Sequence, residues 1–173
     1  MLNCKEVQNR HSTRFFDKNN EVSNQIIRNI LLAGTLAPSG KNVQPWRFFV
    51  VKENHIIYEL AKILANNSWV QTSSRAILVY MNEKESYNEI KDCMAIGACV
   101  ENMLLEAEAS GISSCWIGDF FDKEEQIKNI IHTNEESLKL MAIVAFGYEK
   151  RCLSRPPKKD IEELVLNYND IKD

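Results

Sequence analysis

Three short stretches of the chain combine residue types that can bind a small molecule. The first is Arg10-His11-Ser12-Thr13-Arg14, a cationic cluster with two hydroxyl groups. Two guanidinium groups and a hydroxyl can saturate the oxygens of a phosphomonoester, and each charge-assisted hydrogen bond contributes roughly 1.5–3 kcal/mol. A basic run near the start of a chain is also typical of a solvated surface. The cluster alone leaves both interpretations open.

The second stretch covers residues 37–46, with the sequence APSGKNVQPW. Its two prolines make it stiff, so it would lose little conformational entropy on binding. The side chains of Ser39, Asn42 and Gln44 offer donors and acceptors that match the edge of a heteroaromatic ring. The alternative is a turn in which Asn42 and Gln44 bond their own backbone. Local chemistry favours neither interpretation.

The third stretch has two parts, GACVEN at 97–102 and GISSCWIG at 111–118. The small residues of the first part would let another helix or a flat ring approach the backbone, and the last glycine would leave backbone groups free for a ligand. In the alternative, Glu101 and Asn102 only satisfy a buried helix and Trp116 belongs to the core. Both remain open for each residue taken alone.

The elements that would position these stretches follow from periodicity and from turn residues. The sequence predicts helices over 23–36, 56–64, 85–110 and 124–131, the first capped by Ser23 or Asn24. It predicts strands over 46–51, 76–81, 115–118 and 140–146. Gly111 is expected to stop the longest helix. The predicted fold class is α+β, with a mixed or antiparallel sheet packed between helices.

The predicted helix over 85–110 is apolar on two faces. One face is formed by Cys93, Ile96, Gly97, Val100, Met103, Leu104 and Ala107, and a second by Ile90, Met94, Ala98 and Leu105. A sheet covers only one side of a helix. The second stripe therefore implies contact with another subunit or a deep central position.

The whole chain favours a small-molecule ligand. Its 173 residues fit one domain covering 1–173, and 24 acidic against 21 basic residues give a net charge of −3. This balance leaves no electrostatic footprint for nucleic acid or for an anionic membrane. The N-terminus is polar and no apolar run reaches the roughly 20 residues that span a bilayer, so we expect a cytoplasmic protein.

The cysteines predict no special chemistry. Their odd number and irregular spacing argue against a disulfide scaffold and match no zinc or iron–sulfur pattern. Cys93, Cys99 and Cys115 lie in apolar contexts and are expected to be small core residues. No metal site and no catalytic nucleophile is predicted. The five cysteines are Cys4, Cys93, Cys99, Cys115 and Cys152.

In this order the three stretches resemble the nitroreductase family of FMN enzymes. The matching patterns are R-x-S-x-R, A-P-S-x-x-N-x-Q-P-W, and G-A-x-x-E-N-x-L-L followed by G-x-x-x-x-W-I-G, and the likeness spans residues 10 to about 160. The resemblance implies an obligate homodimer with two flavins at its interface. Such an interface would explain the second apolar stripe of the long helix.

The resemblance also implies which residues hold FMN at its phosphate end. Arg10, Ser12 and Arg14 would grip the phosphate, and a late basic residue, Arg155 or Lys158, would complete the site. His11 belongs to the same cluster. It stands where a second arginine is common in the family, so the site would be slightly weaker or sensitive to pH.

At the ring end, the resemblance brings in two further segments and one asparagine. Pro38, Ser39, Gly40 and Asn42 would approach the flavin from the partner subunit. Asn66 or Asn67, with Asn67 preferred, would meet the ring edge. The turn formed by Trp116, Ile117 and Gly118 would present backbone N–H groups near the reactive flavin nitrogen.

The implied activity is ping-pong hydride transfer from NADH or NADPH through FMN to a nitroaromatic, a quinone or a similar acceptor. The flavin carries the chemistry, so no side-chain acid or base is required. Phe120 and Phe121 could stack on substrate or belong to the core. The alternatives are a reductive dehalogenase or flavin-cleaving enzyme of the same fold, and a flavin-binding or regulatory module with little turnover.

Overall fold

The computed structural model describes residues 2–151 and 155–171, with the backbone alone at 65–67. The helices are α1 (Lys5–Asn9), α2 (Asn24–Thr35), α3 (Asn54–Ile63), α4 (Glu89–Ala109), α5 (Glu124–Ile130) and α6 (Ile161–Leu164). The strands are β1 (Trp46–Val51), β2 (Arg75–Asn82), β3 (Ser113–Ile117) and β4 (Leu138–Gly147). Short 3₁₀ turns cover Gly40–Asn42, Ala65–Thr72, Phe121–Lys123 and Tyr168–Ile171.

The strands form one sheet in the order β1-β2-β4-β3. Each neighbouring pair is antiparallel, so of the two predicted arrangements, mixed or antiparallel, the second is correct for the described strands. The register of β2 on β4 shifts between Val79 and Tyr80. β2 and β4 lie in the middle of the sheet and are buried along nearly their whole length, which explains why both read as continuous apolar runs.

Helices cover both faces of this sheet. Successive side chains of a strand point to opposite faces, so Ile77 and Leu78 of β2 lie on different faces of the sheet. One face packs on α2 and α4, and the other packs on α3 and α5. The predicted α+β class, with a sheet between helices, is confirmed.

The end of α2 is fixed where the loop 37–46 begins. The Ser23 hydroxyl accepts a hydrogen bond from the Ile26 N–H and caps the first turn, as predicted. Near the other end, a Cβ added at Gly34 would lie 2.8 Å from Met103 Cγ, so α2 and α4 approach each other closely. The loop therefore leaves α2 directly beside α4.

The long helix α4 begins later than predicted, at Glu89 rather than at 85. The residues before it form a turn that the Asp92 carboxylate holds, because Oδ2 accepts hydrogen bonds from Ser86 Oγ, Tyr87 N and Asn88 N at 2.7, 3.1 and 3.2 Å. At the other end Gly111 has φ 71°, which confirms the predicted stop. Within the described parts of the chain, no helix is both long and apolar enough to cross a membrane.

The buried face of α4 is rotated relative to the prediction. Cys93 and Gly97 are partly exposed, whereas Cys99 is buried. The residues buried on this helix are Asp92, Ala95, Ile96, Cys99, Val100, Met103, Leu104 and Ala107. The predicted second stripe does face outwards at its start, with Ile90 74% and Met94 71% exposed.

We expect the buried thiols to resist alkylation. Burial raises the pKa of the Cys99 thiol to about 12 and also raises the pKa of Cys115, so both stay un-ionised at pH 8 and lack the nucleophilic thiolate. Iodoacetamide at pH 8 should modify the exposed Cys4 and spare Cys99 and Cys115. In urea, which unfolds the protein, all three thiols should be alkylated. Peptide mass mapping checks this. Rapid labelling of native Cys99 would contradict the packing.

Candidate functional site

A cavity of about 590 Å³ unites the N-terminal cationic cluster with residues from the far end of the chain. From the predicted site it collects Arg10, His11, Ser12, Arg14, Arg155 and Lys158. Arg151, which the sequence analysis did not identify, also lines it. Guanidinium and ammonium groups from three segments thus converge on one space. This is the donor set that a phosphate requires.

Backbone hydrogen bonds hold the cluster and the residues after it between β3 and the segment that follows β4. Thr13 N donates to Ser114 O of β3 at 2.9 Å. On the other side Lys150 N donates to Phe15 O and Asp17 N donates to Tyr148 O, at 2.9 and 2.8 Å. The cluster is therefore a fixed part of the fold and not a loose basic tail.

A carboxylate, Glu149, lies among these cations. Its Oε1 accepts a hydrogen bond from Thr13 Oγ1 at 3.0 Å and lies 3.0 Å from His11 Nε2. The second ring nitrogen of His11, Nδ1, lies 3.1 Å from Asn9 O. These contacts fix the imidazole ring and offset part of the positive charge. Local sequence patterns could not reveal Glu149, because it is 136 residues from Thr13 along the chain.

Two neighbouring residues of α4 connect this helix to its surroundings. Glu101 Oε1 lies 3.2 Å from Arg10 Nε and forms an ion pair that positions this guanidinium at the cavity. Asn102 Nδ2 donates to Ala33 O at 3.2 Å, which ties α4 to the end of α2. Of the two interpretations left open by the sequence, the structural one describes Asn102, whereas Glu101 contacts the candidate site.

The loop after α2 folds on itself and keeps side chains exposed. Ser39 Oγ accepts a hydrogen bond from Gln44 N at 3.0 Å, and Gln44 Nε2 donates to Asn42 O at 3.2 Å. The self-bonding turn considered for this loop is therefore present at Gln44. Lys41, Asn42 and Gln44 have φ values of 52°, 57° and 49°, a region that costs energy for residues with a Cβ. Asn42 is exposed.

A second cavity, of about 370 Å³, lies between this loop and α4. Pro38, Ser39 and Gly40 line it together with Met94 and other residues of α4. It shares no lining residue with the cationic cavity. Within one chain, the predicted phosphate residues and the predicted loop residues therefore form two separate groups.

The second part of the third stretch, residues 111–118, contains β3 and ends at an accessible surface. Trp116 is 42% exposed, so the interpretation of this residue as core is wrong. Ile117 is buried, and only its backbone is left to meet a ligand. A Cβ added at Gly118 would have no neighbour within 4 Å, so the chain is accessible here. The side chains of Asn66 and Asn67, and Cys152, lie outside what the structure describes.

Phe120 and Phe121 stack on each other after β3, with ring centroids 4.7 Å apart. Phe120 is 1% exposed and belongs to the core, whereas Phe121 is 72% exposed.

In the described parts of the chain no set of three or more histidine, cysteine or acidic residues is arranged to hold a metal ion.

Comparison with known proteins identifies the family. The nitroreductase family model matches residues 7–91 and 67–148. The chain belongs to the nitroreductase family. An Archaeoglobus fulgidus member, named "Putative NADH dehydrogenase/NAD(P)H nitroreductase", is 32% identical over 152 residues, which cover 84% of each chain.

Solved structures show the same nitroreductase fold. A Desulfovibrio desulfuricans protein, described as "a putative nitroreductase in complex with fmn", superposes with a TM-score of 0.84 at 32% identity, covering 94% of each chain. A "BluB-like flavoprotein" from Clostridium difficile superposes at 0.82 with 23% identity, covering 95% of this chain and 98% of the other. The second likeness shows the fold alone.

Proposed function

We propose that this nitroreductase-family protein is an FMN-dependent oxidoreductase that uses NADH or NADPH. The observation that carries the proposal is the convergence of Arg10, Ser12 and Arg14 with Arg155 and Lys158 in one cavity. A structural relative at 32% identity is described in complex with FMN. A sequence relative carries the name of an NAD(P)H nitroreductase.

The residues of the cationic cavity fit a phosphomonoester. Their guanidinium and ammonium groups outnumber two carboxylates, that of Glu149, which is already bonded to His11 and Thr13, and that of Glu101, which pairs with Arg10. A dianion entering the cavity would therefore meet donors and a net positive field. Arg10, Ser12 and Arg14 would bind the phosphate, and Arg155 or Lys158, which line the same cavity, would complete the site.

The functional unit that we propose is a homodimer. The loop residues Pro38, Ser39, Gly40 and Asn42 are separated from the cationic cavity of their own chain, and α4 leaves Ile90 and Met94 exposed. A second copy packed on α4 would bring its loop to the cofactor of the first. The contact would also cover an apolar stripe that soluble proteins rarely expose.

The roles of the protein residues in catalysis are binding and orientation. Bound FMN would supply the hydride chemistry, taking electrons from NAD(P)H and passing them to an acceptor in a ping-pong sequence. The backbone of Trp116, Ile117 and Gly118 would donate N–H groups towards the ring, and Asn67 would meet its edge. No side-chain acid or base is assigned, because none is required of the protein.

Turnover assays test this function. We expect the purified protein to oxidise NADH or NADPH much faster in the presence of a nitroaromatic or quinone acceptor than without it. Flavin bound stoichiometrically but no turnover on any acceptor would contradict the enzyme assignment and indicate a flavin-binding or regulatory module. Release of halide from a haloaromatic, or cleavage of the flavin itself, would identify one of the other activities of the fold.

The cytoplasmic location stays a prediction.

A further inference from the structure

A single tyrosine ring beside the second cavity carries two lysine ammonium groups. Lys41 Nζ lies 4.9 Å and Lys91 Nζ lies 5.7 Å from the centroid of the Tyr87 ring. Both distances are within the range at which the negative face of an aromatic ring attracts a cation. One lysine comes from the loop after α2 and the other from the first turn of α4. The ring thus gathers charges from two elements at one place.

The ring itself is held in place from two sides. The backbone N–H of Tyr87 donates to the fully buried Asp92 carboxylate, which fixes the turn before α4. The ring packs directly on the backbone of Gly40, where an added Cβ would overlap the tyrosine hydroxyl group. We call Lys41, Tyr87 and Lys91 the lysine–tyrosine cluster.

No acidic side chain in the described parts of the chain forms an ion pair with the lysines of this cluster. The acidic side chains of the same segment are engaged elsewhere: Glu85 pairs with Arg47, Glu89 pairs with Lys139, and Asp92 bonds the turn. An anion arriving from outside would relieve the repulsion between the two lysines.

The cavity next to the cluster is apolar at its base. Pro38, Met94, Ala95 and Ala98 contribute to its lining, and Lys91 and Tyr87 form part of the same wall. A flat aromatic ring fits such a base, whereas a negatively charged substituent fits the cationic edge. The two features together define the chemistry of one ligand.

We propose that the lysine–tyrosine cluster selects electron acceptors whose aromatic or quinone ring carries an anionic substituent, such as a carboxylate. The inference rests on the proposed function, which brings the Pro38–Gly40 loop to the flavin. In the proposed dimer the partner subunit would cover part of this face of α4, and the acceptor ring would lie between the two chains, against the apolar base. Its anion would lie at the Lys91 edge of the cavity, next to the Lys41 ammonium group. The same charges could instead meet the phosphates of the nicotinamide nucleotide, and the test separates these two sources.

The test compares 4-nitrobenzoate with 4-nitrobenzamide, which differ in charge at nearly equal size. Equilibrium dialysis measures their affinity for the full-length oxidised protein, and steady-state assays give kcat/KM for each acceptor and for NADH. The variants are Lys41→Gln, Lys91→Gln and their combination. Lys62→Gln is a matched control, because Lys62 also lies over a tyrosine ring, that of Tyr58 at 4.6 Å, but pairs with Glu59 at 2.8 Å.

We expect each single variant to weaken 4-nitrobenzoate binding and its kcat/KM about fivefold at low salt, as for one surface charge pair, and the double variant more. Binding and turnover of 4-nitrobenzamide should change less than about twofold, and added salt should erase the difference. The Lys62→Gln protein should match the wild type with both acceptors.

Three results would overturn the inference. Equal losses with both acceptors would assign the lysines a structural role, and no loss would show that their charges are not used. A loss confined to the NADH step would move the anion to the nucleotide. Because dialysis needs no turnover, absence of activity with lysine-dependent 4-nitrobenzoate binding would reject the proposed function and leave the anion site standing.

Discussion

Replacing Ala98 by glutamate is expected to give a protein that is monomeric and free of flavin. Ala98 lies on α4 one turn from the exposed Met94, on the face that we assign to the partner subunit. A carboxylate in that contact would be buried without a partner, at a cost of several kcal/mol. Since the flavin site is proposed to be completed by the second chain, both properties should be lost together.

Sedimentation velocity and flavin absorbance of the same samples measure this result. Gln126→Glu places the same charge at an exposed position of α5 and should leave the dimer and its flavin intact. A wild-type monomer that binds FMN stoichiometrically would refute the shared site. A monomeric Ala98→Glu protein with full flavin would show that Asn42 and its loop serve their own subunit.

Substituting Arg14 by alanine should weaken FMN binding by about 1.5–3 kcal/mol, or one to two decades in Kd, because it removes a charge-assisted contact to the phosphate. Titration of apoprotein with FMN, followed by flavin fluorescence, measures the change. Riboflavin lacks the phosphate, so its affinity should hardly respond to the same substitution.

Arg28→Ala is the matched control, because Arg28 is an exposed arginine of α2 outside the cationic cavity. It should bind FMN as the wild type does. If Arg14→Ala also leaves the Kd for FMN unchanged, the N-terminal cluster is a solvated surface and the phosphate site must be sought elsewhere.

The parts of the fold that could be predicted are those with local signals. Ser23 caps α2 and Gly111 stops α4 because the residues that decide these ends are neighbours in sequence. The predicted start of α4 is too early, because the Asp92 carboxylate folds the residues before Glu89 into a turn. Helical periodicity alone cannot show that the Asp92 carboxylate accepts hydrogen bonds from the residues before the helix.

The candidate site was predictable in its motifs but not in its connections. Residue types and spacing leave Arg10 and Arg14 open between a phosphate site and a solvated surface, and only the resemblance to the family assigns them to FMN. Arg155 and Lys158 line the same cavity. The roles of Glu149 and Glu101 depend on long-range contacts with His11 and Arg10, which no local pattern encodes. How the loop at Pro38 reaches a cofactor depends on a second chain and therefore stays a proposal.

The flavin released on denaturation tests the central claim most directly. The purified protein should be yellow, and chromatography of the heat-released cofactor should identify FMN at one molecule per chain. Micromolar affinity, roughly −8 kcal/mol, suffices for the cofactor to be retained or restored by adding FMN. Release of FAD, or a folded protein that holds no flavin and cannot be reconstituted with FMN, would contradict the account.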